Sequence, residues 1–176
     1  MKRLTFLFVV CFTCLCSFSQ INTTIWNVTI NKSKKQQVIN MLHNKGFKDI
    51  GKLDYDDVLY VYDDSMLGKI RFGGISWQSA QFHFFNSILY RIEFHRPVYY
   101  NDGQTNESIR KTVKDALAQK YSLYYWDEVN EYRDYQIWYN DNVLLLGFTE
   151  DDDVFTLVYC DNSTFDKMQS KNNNEF

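Results

Sequence analysis

The sequence predicts an α+β fold: two tandem helix-plus-antiparallel-meander units sharing one curved sheet, with the helices on one face. Three observations lead there. Val38, Ile39, Met41 and Leu42 recur at helical spacing between Ser33 and Gly46. From Val58 the apolar period becomes two, through Val58–Tyr62, Lys69–Phe72, Ser79–Phe85 and Leu89–His95. The order then returns: a helical stripe at Ile109, Val113, Ala116, Leu117 and Tyr121 precedes alternating segments from Leu123 to Cys160.

Met1-Lys2-Arg3 is a basic start, Leu4 to Cys16 is apolar, and Ser17-Phe18-Ser19 offers small residues for a peptidase. Residues 1–19 therefore read as a secretory signal peptide, and the run of about 13 apolar residues falls short of the roughly 20 that span a bilayer. Residues 20–30 read as an N-terminal arm or strand, 31–98 as the first unit, 99–165 as the second and 166–176 as a flexible tail. Ser33 stands where an N-cap belongs and Gly46 where a C-terminal glycine belongs, so Lys34 to Lys45 is the first helix. Asn86-Ser87 suits a tight hairpin, because Asn tolerates a left-handed backbone. Gly73-Gly74 reads as a bulge or kink; it opens no helix and cradles no phosphate. Thr105 or Asn106 caps the second helix. Strands follow at Leu123–Trp126, Asp134–Tyr139, Val143–Phe148 and Asp153–Cys160, giving a sheet of seven or eight strands.

Composition narrows the function. Without Lys2 and Arg3 the exported chain keeps 17 basic against 22 acidic residues, a net charge of −5, and no basic stripe, which argues against nucleic acid as a partner. Cys11, Cys14 and Cys16 leave with the signal; Cys160 alone remains, so no internal disulfide forms. The exported part carries no transmembrane segment and no lipoprotein-type cysteine in good context. Sequons begin at Asn22, Asn27, Asn31, Asn106 and Asn162.

Each candidate chemistry has a plainer reading beside it. His83 and His95 lie on neighbouring strands, and with Glu93 or Asp102 they would make a metal site only in a register that turns them to one side. Solvated or hydrogen-bonded imidazoles are the simpler account. His43 has no evident partner on the first helix. Cys160 closes a strand and reads as a buried, inert thiol. The acidic runs Asp63-Asp64 and Glu150-Asp151-Asp152-Asp153 lack the alternation and glycine of a calcium loop and read as solvated turns. No catalytic residue, metal or cofactor is assigned. The aromatics stand out instead, with 13 Tyr, 14 Phe and 4 Trp. Tyr124 and Trp126 share one strand face, and with Tyr135, Trp138 and Trp77 they form the candidate ligand-binding set on the sheet face opposite the helices.

The string Phe82-His83-Phe84-Phe85-Asn86-Ser87-Ile88-Leu89-Tyr90-Arg91-Ile92-Glu93-Phe94, set in a helix-then-meander order that occurs twice, resembles the beta-lactamase inhibitor protein fold. It is similar too to small lipoproteins of the outer-membrane assembly machinery and to uncharacterised exported proteins of the Bacteroides group. The resemblance implies tandem α/β modules with a free sheet face. Those inhibitors carry disulfides and this chain departs from them there; no interface residue matches, so none is carried over. The expectation is an exported, non-catalytic binding or inhibitory module that recognises a protein or glycan, in the periplasm, at the outer-membrane surface or outside the cell. The alternative is a structural component of an envelope assembly; a hydrolase ranks third.

Overall fold

The computed structural model describes residues 22–53, 57–64, 68–97, 105–121, 125–130, 133–140, 144–151 and 154–173. The signal-peptide reading, Tyr124 and Asp102 lie outside them. The fold is mixed α+β and strand-rich, with antiparallel pairing throughout.

The chain opens with a small ribbon, β1 (Thr24–Ile25) and β2 (Val28–Thr29). Trp26 and Asn27 turn it with φ of 51° and 66°, the two left-handed residues that a tight hairpin with matching twist requires. Helix α1 (Lys35–Asn44) follows, burying Val38, Met41 and Leu42. Its N-cap is Lys34 and not Ser33: the Ser33 hydroxyl instead accepts from the Thr29 amide at 2.9 Å, and Gln37 Oε1 accepts from the Lys34 amide at 2.8 Å. Gly46, at φ 88°, ends the helix as the sequence expects.

The main sheet has eight strands in the order β3-β4-β7-β8-β12-β11-β10-β9. These are β3 (Gly51–Leu53), β4 (Val58–Tyr62), β7 (Ser79–Phe85), β8 (Ile88–Pro97), β9 (Tyr125–Asn130), β10 (Arg133–Asn140), β11 (Leu144–Asp151) and β12 (Val154–Asp161). Asn86 and Ser87, at φ 50° and 63°, make the predicted hairpin between β7 and β8. The Lys35 amide bonds Ser87 O at 3.0 Å and the Leu89 amide bonds Ser33 O at 2.9 Å, so that turn also seats the start of α1 on the sheet.

Two expectations are corrected. The strands form more than one sheet: β5 (Ile70–Phe72) and β6 (Ile75–Trp77) pair only with each other. Gly73 and Gly74, at φ 63° and 78°, close a two-residue turn and fold the chain back on itself instead of bulging it. Buried polar groups pin this ribbon. Asp63 Oδ2 accepts from the Lys69 amide at 2.7 Å, and the fully buried Arg96 donates from Nη1 to Ser76 O at 2.8 Å. The second correction concerns the helices. Helix α2 (Asn106–Tyr121) buries Ile109 and Val113 in the same core as α1, and the Ser108 amide donates to the capping Thr105 Oγ1 at 3.2 Å. Residues 166–173 of the expected flexible tail, however, belong to a third helix, α3 (Asn162–Asn173). Asp161 caps it, Oδ1 accepting from the Thr164 amide at 2.7 Å. Phe165 and Met168 of α3 pack on Tyr90, Val158 and Cys160, a cluster apart from the main core. Alternation along β12 puts Val158 and Cys160 opposite Leu157 and Tyr159, so helices cover both faces of the sheet, not one.

Trp77 is corrected with them. It is completely buried, 5.6 Å from Phe94 and 5.7 Å from Phe155 between ring centroids, and its Nε1 donates to Phe72 O at 3.1 Å. It belongs to the core and offers no surface.

Candidate functional site

Register assigns the α3 side of the sheet. Gly51, Tyr60, Gln81, Glu93 and Val158 stand opposite one another in one row across β3, β4, β7, β8 and β12, and the row continues through Gly147 and Ile137 to Trp126. Tyr62, Ser79, His95 and Thr156 form the next row on that side, which continues through Thr149 to Tyr135. Trp138 stands instead in the row of Leu59, Phe82, Ile92 and Tyr159, which belongs to the core side. By register Trp126 and Tyr135 stand in rows of the α3 side and Trp138 in a row of the core side.

Among the residues whose burial is described, the exposed large aromatics lie on β4. Tyr60 and Tyr62 are 37% and 51% exposed, while Leu59 before them and Val61 between them are buried. Two residues along a strand place the pair about 7 Å apart on one face. They line a cleft of about 790 Å³ with Lys48, Asp49, Asp64 and Lys69. Tyr60 lies on its cross-strand partner Gly51: a Cβ there would come within 2.0 Å of the ring's Cζ. Glycine at this position gives the tyrosine a flat seat. The sequence shows Val58 to Tyr62 as a strand but does not distinguish its tyrosines from a buried set. The available signal is their alternation with Leu59 and Val61.

Next to the cleft, two strands in, sits a polar cluster. Glu93 is nearly buried. Its Oε1 meets Arg91 Nη2 and stands 3.5 Å from His83 Nε2; its Oε2 stands 3.1 Å from His95 Nε2. His95 Nδ1 is 3.1 Å from Thr156 Oγ1. Burial by itself pushes the Glu93 carboxyl up. The His95 hydrogen bond and the charges of Arg91, His83 and His95 outweigh that and hold it near 2. His83, Glu93 and His95 do share one face, the arrangement a metal site would need. Yet no group of three or more His, Cys, Asp or Glu among the described residues is placed to hold an ion. The imidazoles converge on one carboxylate, which makes the cluster an ion-pair network tying β7, β8 and β12 together.

Arg91 also reaches toward α3, its guanidinium 5.7 Å from the Phe165 ring centroid. Beneath that helix, burial pushes the Cys160 thiol up to about 12, so the group stays protonated and unreactive, in keeping with the sequence reading. His43, without an evident partner in the sequence, has one in the fold: Nδ1 lies 3.0 Å from Phe47 O. No described helix is long and apolar enough to cross a membrane.

No family model matches the chain, no curated protein is significantly similar to it, and no solved structure matches its fold.

Proposed function

We propose that the chain is an exported, non-catalytic binding module that takes a neutral glycan in the cleft bounded by Tyr60 and Tyr62. The carrying observation is that two exposed tyrosines share a strand face and line a concave surface with two lysines and two aspartates. The opposite charges balance, which favours an uncharged ligand over an anion or a cation. Ring faces supply dispersion contact for the C–H side of a sugar, and the four ionic side chains supply hydrogen bonds for its hydroxyls. The volume lies within the range of small-ligand sites. The strand order supports the tandem reading: each half of the sheet is the succession expected of one meander, and the last strands of the halves, β8 and β12, meet at the centre. The resemblance to inhibitor-type tandem modules enters this proposal at that level alone.

Titration calorimetry against a panel of neutral oligosaccharides tests it. The Tyr60→Ala/Tyr62→Ala double variant is expected to bind a captured sugar on the order of 100-fold more weakly at unchanged melting temperature, since centrally placed tyrosines each contribute about tenfold or more. Gly51→Ala, which displaces the Tyr60 ring, is expected to weaken binding in the same direction. Undiminished affinity in the double variant ends the proposal. Capture of a protein through the same tyrosines, with no sugar bound, replaces the glycan by a protein partner.

A further inference from the structure

The geometry points to a second ligand site, on the opposite face of the sheet: an apolar cavity of about 300 Å³ under α2 that takes a neutral hydrocarbon-bodied small molecule. It is independent of the tyrosine cleft and of the function proposed there.

The sequence of α2 explains the opening. Ile109 and Val113 are buried and fill the space between the helix and the sheet. One turn further on, Ala116 carries only a methyl group and is exposed, and Leu117 is half-buried. The helix stripe thins, and a gap remains between its C-terminal half, the sheet and the β5–β6 ribbon. Trp77, Phe72 and Leu157 line it with Val113 and Leu117. Ala116 and the exposed turn residue Gly73 lie at its mouth.

Hydrogen-bond accounting fixes the ligand's chemistry. Among the described residues no charged side chain lines the cavity. Trp77 Nε1 donates to Phe72 O, Thr112 Oγ1 donates to Ser108 O at 2.8 Å, and Asn22 Oδ1 accepts from the Thr24 amide at 3.0 Å. These contacts engage most of the lining's polar side chains, and apolar side chains make up the rest, so the site favours a largely apolar ligand. An apolar cavity of about half this volume stays dry and admits a benzene-sized guest. At about 30 Å³ for each heavy-atom-sized group, this one holds roughly ten. Apolar walls around empty space forgo dispersion contacts that such a guest restores.

The test uses 1-naphthylamine, a neutral probe of matching size whose emission shifts to the blue in apolar surroundings, displaced by 1-decanol. The purified protein is expected to bind the probe saturably at one per chain. Ala116→Phe and Thr112→Phe, two exposed helix positions at the cavity, are each expected to weaken binding at least tenfold while the melting temperature holds. Absent or non-saturable binding, or binding undiminished in both folded variants, overturns the site.

Discussion

Replacing Glu93 with alanine is expected to destabilise the fold by about 3 kcal/mol at neutral pH, the low end of the range for breaking a buried ion pair. The variant leaves Arg91, His83 and His95 facing a space without a carboxylate. The cost stays at the low end because Arg91 keeps 27% of its side chain in solvent. The lowered affinity of the Glu93 carboxyl for its proton leads to a similar figure. Glu93 sits at about 2 in the fold against an ordinary 4.5, a difference worth about 3 kcal/mol. Because the folded value is the lower one, this stability is fully present above about 4.5 and is lost as pH falls through about 2. Roughly 2 kcal/mol of it is gone by pH 3. Urea unfolding at pH 7 and pH 3 checks this. The native chain should lose that increment and Glu93→Gln should not; parallel losses in both would show that Glu93 is not held as described.

Trp77→Ala is expected to cost about 3–5 kcal/mol, the range for emptying a buried aromatic site. At this chain length that corresponds to a fall in melting temperature of roughly 10 °C or more. The indole contacts Phe94 and Phe155 and braces the β5–β6 ribbon through Phe72 O, so both packing and a hydrogen bond go. The measurement also separates core from surface: a tryptophan presented to a ligand would lose binding with little change in melting temperature.

How much was legible depended on whether a feature is local. Asn86-Ser87 could be read because a two-residue hairpin demands left-handed backbone where it stands. Gly73-Gly74 was ambiguous because bulges and tight turns both favour glycine, and only the pairing of Phe72 with Ile75 decides. Helix α3 was missed because its apolar stripe is reduced to Phe165 and Met168, although Asp161 before Asn162 was a capping signal in plain view. The Glu93 cluster needed the register of β7 on β8, where Gln81 faces Glu93 and Ser79 faces His95; a slip of one residue would have sent the groups to the other side. The tyrosine cleft needed to know which strand face stays uncovered, and that follows from where α1, α2 and α3 settle. The exposed tyrosines on β4 add a surface in the first half of the chain that the sequence reading does not name.

The seam between β8 and β12 gives the molecule a particular order of assembly. One partner lies in mid-chain and the other is the last of the described strands, so the join waits for nearly the whole chain. Until Val154–Asp161 arrives, the ten-residue β8 presents an open hydrogen-bonding edge flanked by Leu89, Ile92 and Phe94. Such an edge invites pairing with any other nascent strand. Closing it over so long a stretch of intervening chain makes the final docking slow relative to the hairpins on either side. Covering β8 until β12 docks would therefore protect the folding chain at its most exposed stage.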